Sequence, residues 1–246
     1  MKHLSIGSTI VLAFALPAQA SEFDFRGAQL TATGYFHDAP DVPADWTTGS
    51  IGGSAELGLG RNLFVQGDAT FQAYDMPWND YKLYSLGAHV GYDLGNGINI
   101  GAFGVGELWD QDGDGEMIVG GEIAGQTGKF FYEGYGAYVF DPLNGTGFQQ
   151  THVEATGGYA FGGGFGIELG VHYGTGDLRF TDTMVQGVAN LSYDVTDDIT
   201  VAGGYVYSDS GTDWWDSQGV SLSLTKSFGG STTFSQRNYL SLHNGY

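Results

Sequence analysis

Residues 151–173 read THVEATGGYAFGGGFGIELGVHY, and this stretch shows how the chain is built. From Val153 onward, apolar or small residues alternate with polar ones until the three glycines at 162–164. The same alternation resumes at Phe165. Successive side chains of a strand point to opposite faces of a sheet, so the pattern predicts a β-hairpin with one apolar face and one polar face.

The register of this hairpin decides which polar side chains meet. If Phe161 pairs with Phe165 across the glycine turn, Glu154 lies directly opposite His172. A slip by one residue would turn the apolar set of one strand to the other face, so few registers are compatible with the pattern.

Alternating segments of this kind recur along the whole chain, and tight turns alternate strictly with long polar loops. Tight turns rich in Gly, Asn and Asp occur at 60–62, 95–97, 127–128, 162–164 and 196–198. Long connections occur at 37–49, 75–80, 109–116, 140–149, 174–182 and 208–217. The segments between them predict strands near 25–36, 50–59, 63–74, 81–94, 98–108, 117–126, 129–139, 150–161, 165–173, 183–195, 199–207 and 218–228. Twelve strands with short turns at one end and long loops at the other predict an all-β, antiparallel, up-and-down transmembrane β-barrel.

The tryptophans favour the same interpretation over a soluble β-sandwich. All five lie in or beside long connections, at positions 46, 78, 109, 214 and 215. Indole rings prefer the interface between membrane and water. A soluble core does not predict that all tryptophans lie near one kind of connection. We expect these tryptophans to form an aromatic girdle at the outer end of a barrel.

The two ends of the chain are predicted to lie outside the barrel. Lys2 and His3, an apolar run and Ala18-Gln19-Ala20 predict a secretory signal peptide over residues 1–20. The barrel is expected to span 21–228. Residues 229–246 are expected to form a C-terminal periplasmic tail, unless residues 233–242 pair elsewhere.

The signal sequence, the series of hairpins and the closing strand 218–228, QGVSLSLTKSF, together resemble a small alphaproteobacterial outer-membrane protein of the porin type. The resemblance implies location in the outer membrane of a Gram-negative bacterium and a channel function. The departure is the extension beyond Phe228, where such barrels usually end.

Composition excludes several functions and limits how the fold can be stabilised. The formal net charge is −20 and there is no cysteine. A chain without a basic face is not expected to bind nucleic acid. Without disulfides, a closed and fully hydrogen-bonded sheet is the expected source of stability.

Acidic residues and histidines dominate the predicted inner face. The residues predicted to line a pore are Glu56, Asp68, His89, Glu107, Glu122, Glu133, Glu154, Glu168 and His172. Because rings of Asp and Glu favour cations, the sequence predicts passive diffusion of small hydrophilic solutes with a preference for cations. The alternative is a non-conducting structural or adhesive barrel whose inward carboxylates are hydrogen-bonded.

Two further details of the lumen follow from the predicted turns. If residues 126 and 129 flank the turn at 127–128, Glu122 lies directly opposite Glu133, and like charges in that position destabilise a sheet. Arg26 and Lys82 are the basic residues expected to provide lumen counter-charges.

One loop resembles the beginning of an EF-hand. Asp110, Asp112, Asp114 and Glu116 place carboxylates at alternate positions around a glycine, an arrangement that suits calcium. The twelfth position of the motif is Gly121 rather than Glu, so a solvated acidic loop is the favoured alternative. No other cofactor is expected.

An enzyme is the least favoured interpretation. A hydrolase at the outer rim would use His37 beside Asp38 and Asp41, but the sequence places no serine there as a nucleophile. The expected partners are therefore outer-membrane lipid and small solutes or cations.

Overall fold

A closed barrel of twelve antiparallel strands forms most of the described structure. The computed structural model describes residues 23–38, 46–76, 79–110, 115–140, 149–178, 181–209 and 216–237. The strands are β1 (Phe23–Asp38), β2 (Trp46–Leu59), β3 (Leu63–Met76), β4 (Asn79–Gly95), β5 (Ile98–Trp109), β6 (Gly115–Thr127), β7 (Phe130–Phe140), β8 (Gln149–Ala160), β9 (Phe165–Leu178), β10 (Thr181–Thr196), β11 (Ile199–Asp209) and β12 (Ser217–Phe228). Each strand pairs with its neighbours in sequence, and β1 also pairs with β12, which confirms the predicted architecture.

The predicted register of the 151–173 hairpin is confirmed, and that of the β6–β7 hairpin is wrong by two residues. Glu154 pairs with His172, as the alternation predicted. Thr127 pairs with Phe130, so that Glu122 lies opposite Tyr135 instead of Glu133. Gly128 supplies the positive φ of this turn, which moves it one residue along the chain from the predicted position.

The outer surface of the barrel is apolar. Leu86, Leu191 and Leu222 are among its most exposed side chains, each more than 60% accessible. The strands contain 11 to 17 residues, whereas crossing a bilayer requires about 9–11 tilted residues. Among the described residues, no helix has the length and apolar character needed to span a membrane. We expect lipid to cover this surface.

The inner surface has an apolar region that the sequence analysis did not predict. Val105, Ile118 and Val139 are at most 1% exposed, and Phe103, Tyr135 and Ala137 join them in one cluster. This cluster lies on the inner face of β5, β6 and β7, among the inward acids of the same strands. The interior is therefore not uniformly polar, and this sector is packed like a protein core.

A charge at mid-height on the outer surface tests the expected lipid contact. Leu86→Arg places a guanidinium near the middle of β4, and we expect a loss of about 2–4 kcal/mol in the free energy of unfolding. Leu94→Arg, at the tight-turn end of the same strand, is the matched control with an expected loss of about 0–1 kcal/mol. The measurement is urea unfolding in lipid vesicles. Equally small losses for both variants would mean that water, not lipid, covers this face.

Candidate functional site

The nine residues predicted to line the pore all project from the inner face of the barrel. Glu133, Glu154 and Glu168 are half-buried. The others are buried, namely Glu56, Asp68, His89, Glu107, Glu122 and His172. Glu116 also lies on this face and is 4% exposed, so it joins the seven acids predicted there and makes them eight. Their role in a pore stays a prediction, but their direction is the one that the alternation indicated.

The most enclosed charged cluster is built around His89 on β4. Its Nε2 lies 2.8 Å from Asp68 Oδ2, and its Nδ1 lies 2.6 Å from Glu122 Oε1. An ionised carboxylate only accepts hydrogen bonds. With both carboxylates ionised, each ring nitrogen must donate, and His89 is then the cation between two acids.

Further along the inner wall, a chain of hydrogen bonds joins side chains of β8 to β11. His152 Nδ1 lies 3.0 Å from His172 Nε2, and His172 Nδ1 lies 3.1 Å from Gln186 Oε1. Gln186 in turn donates to the Ser208 hydroxyl over 3.3 Å. The two imidazole rings stack with their centroids 5.1 Å apart. In this sector His172 forms hydrogen bonds with His152 and Gln186 instead of with Glu154, its partner in the register.

The C-terminal segment 229–237 lies inside the barrel, which corrects the predicted periplasmic tail for this part of the chain. It leaves β12 at the tight-turn end, where Gly229 has a φ of +70° and lies against Phe25. Phe234 is only 1% exposed, between Phe64 and His89. The inner wall offers the segment apolar rings and hydrogen-bonding groups that an exposed tail would lack. Residues 238–246 lie outside the described residues.

The segment binds to both sides of the lumen. On the β2 side, the Thr233 backbone N–H and hydroxyl donate to Glu56, over 2.7 and 3.0 Å. On the β7 side, the Ser235 backbone N–H and hydroxyl donate to Glu133, over 3.0 and 2.7 Å. Gln66 makes two hydrogen bonds with the backbone of Phe234 midway. The segment therefore crosses the interior.

Arg237 supplies a lumen counter-charge that the sequence analysis missed. Its guanidinium forms an ion pair with Glu133, lies 3.5 Å from Glu122 Oε2, and is centred 4.2 Å from the Tyr135 ring. Glu122 and Glu133 are thus joined through an arginine instead of facing each other. One feature of the sequence could have indicated this role. Lys and Arg are scarce in the chain, and Arg237 is the only one of them beyond β12, which it follows closely.

Of the two basic residues predicted to lie in the lumen, one does and the other does not. Arg26 Nη1 lies 3.3 Å from Glu56 Oε1 inside the barrel, as expected. Lys82 instead lies 3.7 Å from Asp110 and is half exposed at the loop end, so its placement in the lumen was wrong. Two inward acids that do face each other directly are Glu107 and Glu116 on β5 and β6.

The predicted calcium loop falls mostly outside the described residues, because 111–114 include Asp112 and Asp114. Of the remaining two ligands, Asp110 contacts Lys82, whereas Glu116 points into the barrel. Among the described residues there is no group of three or more side chains that could hold a metal ion. Calcium binding by this loop stays a prediction.

A cavity of about 230 Å³ lies in the interior beside the segment. Most of the residues that line it carry a hydroxyl or an amide group, although carbon atoms form most of the wall surface, and none of the described lining residues is charged. They include Gln29, Thr31, Thr33, Ser50, Thr70, Gln72, Asn190, Ser221, Ser223, Ser235 and Gln236. Two of these, Ser235 and Gln236, belong to the segment, so the segment forms one wall of the cavity.

Removing the histidine between the two acids tests the His89 cluster. His89→Leu leaves Asp68 and Glu122 buried without their shared donor, and we expect a loss of about 3–5 kcal/mol in the free energy of unfolding. Adding Asp68→Asn and Glu122→Gln removes both charges and should restore most of that loss. The measurement is urea unfolding in vesicles at neutral pH. A single variant as stable as the wild type would contradict a charged histidine at this position.

Comparison with solved structures shows that the fold is that of bacterial outer-membrane channels. The NanC porin has a TM-score of 0.63 at 11% identity, covering 80% of this chain and 98% of that one. The KdgM porin in complex with disordered oligogalacturonate has a TM-score of 0.61 at 8% identity, covering 81% and 99%. An outer membrane channel from Pseudomonas putida F1 has a TM-score of 0.55 at 14% identity, covering 87% and 100%.

No protein family and no curated protein matches this chain by sequence. The structural likeness is therefore one of fold, a twelve-stranded barrel shared with porins and channels. It does not bear on the alphaproteobacterial origin that the sequence indicated.

Proposed function

We propose that this protein is a porin-like channel of the bacterial outer membrane, through which small hydrophilic solutes diffuse passively. The observation that carries the proposal is the combination of a closed barrel, an apolar outer surface and a hydroxyl-lined cavity of about 230 Å³ inside. The fold shared with the NanC and KdgM porins supports it. A signal peptide over 1–20 and insertion from the periplasm belong to the same proposal.

The chemistry of the cavity wall supports hydrophilic solutes. Side chains such as Thr31, Ser223 and Gln72 both donate and accept hydrogen bonds, so they replace part of the hydration shell of a polar solute. Their lack of charge means that a solute is not held by an ion pair, which suits diffusion because binding must be weak enough for release.

We further propose that the channel prefers cations. Against eight inward acids, two arginines, Arg26 and Arg237, reach the described part of the lumen. Glu154 and Glu168 contact only neutral groups in the hydrogen bonds seen here, the Tyr135 hydroxyl and the Asn190 amide. Asn190 also lines the cavity. An anionic solute such as the oligogalacturonate bound to the KdgM porin would meet excess negative charge.

The contacts at the outer rim favour a channel over a rim hydrolase. His37 is 3% exposed, and its ring stacks against Tyr35 and Trp46 at centroid distances of 5.9 and 5.0 Å. A general base must reach its substrate, and a ring enclosed between two aromatic side chains is poorly placed for that role.

A non-conducting barrel is the second candidate, and the segment 229–237 is the observation that favours it. A segment bound to opposite walls and buried at Phe234 reduces the open cross-section. The two candidates differ in a single measurable property, the conductance of the intact protein in a planar bilayer. Discrete conductance steps would support the channel, and their absence for correctly folded protein would support the structural barrel.

Charge selectivity tests the cation preference. Glu154→Gln/Glu168→Gln removes two inward acids whose hydrogen bonds involve no basic residue, and we expect the reversal potential in a salt gradient to shift towards zero. The matched control, Asp24→Asn/Asp75→Asn, removes two exposed acids near opposite ends of strands. Salt screens the control positions more than buried ones, so we expect little change. An unaltered reversal potential in the first variant would remove these acids from the permeation path.

A further inference from the structure

The segment 229–237 divides the barrel interior into two sectors of different chemistry. Its residues contact acids and aromatic rings that project from β2 to β7. The hydroxyl-lined cavity lies on its other side, against β10 to β12 and β1 to β3. We propose that this segment is a built-in constriction that covers the acidic sector and confines passage to the hydroxyl-lined sector, thereby setting conductance and charge selectivity. This proposal rests on the proposed channel function.

Glycines of the barrel wall make room for the segment at three positions. A Cβ atom at Gly27 would lie 2.7 Å from the Gly230 carbonyl oxygen, and one at Gly101 would lie 2.7 Å from Cε2 of Phe234. A Cβ atom at Gly52 would collide with the side chain of Gln236. Real Cβ contacts are longer than this, so the wall on β1, β2 and β5 is shaped to the segment.

Contacts with charged groups hold the segment in place in addition to its close fit against the wall. Its donors reach Glu56 and Glu133 through both backbone and hydroxyl groups, and Arg237 contacts Glu122 and Glu133. Hydrogen bonds to an ionised acceptor are about twice as strong as neutral ones. Arg237 is enclosed at 4% exposure, and its departure would leave Glu133 without its ion pair and Glu122 with His89 as its charged partner. The segment is therefore held firmly across the lumen.

The segment also changes which groups a passing solute meets. Gln236 donates to Ser54 over 2.9 Å and accepts from Thr70 over 3.3 Å, so that its amide completes the hydroxyl-lined wall. Behind it, Arg237 forms an ion pair with Glu133 and lies beside Glu122, whose other carboxylate oxygen contacts His89. If the segment is removed, the path widens and these acids face the solute, so both conductance and cation preference should rise.

Truncation is the direct test, with a matched control. The variant lacking 229–246 ends at Phe228 and keeps β12 intact, whereas the variant lacking 238–246 keeps the whole described segment. Both are refolded into detergent, checked by heat-modifiable migration on gels, and measured in planar bilayers with a salt gradient. We expect a conductance roughly twofold higher or more for the first variant, because the interior of a twelve-stranded barrel is narrow, and a value close to the wild type for the second.

A second variant removes the charge but keeps the chain. Arg237→Gln should shift the reversal potential towards stronger cation preference with a smaller change in conductance, because the segment still occupies the lumen. Lys129→Gln removes one exposed cation in a tight turn and serves as the control. If the truncated protein fails to fold, the reversal potentials of Arg237→Gln and Lys129→Gln test the proposal instead. Equal reversal potentials for these two variants would overturn it.

The outcomes separate this proposal from the proposed function. A conducting wild type with the same conductance and selectivity after removal of 229–246 overturns the constriction and leaves the channel function intact. An equal rise on removal of 238–246 alone also overturns it. A closed wild type that conducts once 229–246 are removed supports the segment as the closing element. If neither folded protein conducts, the channel function fails and the constriction with it.

Discussion

The pairing of β1 with β12 is the constraint on which the rest of the structure depends. It joins 28–38 to 218–228 residue by residue and leaves the sheet without an edge. In a hydrocarbon environment an unpaired backbone group costs several kcal/mol, so a sheet can cross a membrane only when it is closed. Closure also creates an interior. On every strand, the side chains of one of the two alternating faces must lie in it.

Eight acids lie in the narrow interior with few bases, so their negative charges repel each other unless they are paired. Different basic groups pair with them in different sectors. His89 bridges Asp68 and Glu122, and Arg26 contacts Glu56. Glu133 and Glu122 share Arg237, which comes from beyond the last strand. Buried charges in proteins are generally paired in this way, because an isolated one is expensive to desolvate.

The C-terminal segment therefore connects the stability of the interior to its permeability. The contacts that satisfy Glu56 and Glu133 also place Phe234, Gln236 and Arg237 across the lumen. One side of the segment is packed against aromatic rings, and the other completes a polar wall around a cavity. A channel with such a segment obtains its selectivity from what the segment covers as much as from what the strands expose.

The sequence by itself determined the barrel, its twelve strands, the inward direction of the seven predicted acids and the pairing of Glu154 with His172. These properties follow from the period of two in side-chain direction and from the turn residues, both of which are local. The position of the β6–β7 turn was wrong by one residue, because adjacent glycine-containing turns differ little in local preference.

Only the tertiary structure decided which inward groups meet across the lumen. The partnership of Arg237 with Glu122 and Glu133, the burial of Phe234 beside His89, and the apolar sector around Val105 and Ile118 join residues far apart in the chain. Alternation assigns a side chain to a face but does not specify its neighbour on the opposite wall. The course of the segment after Phe228 depends on a surface that exists only once the barrel has closed.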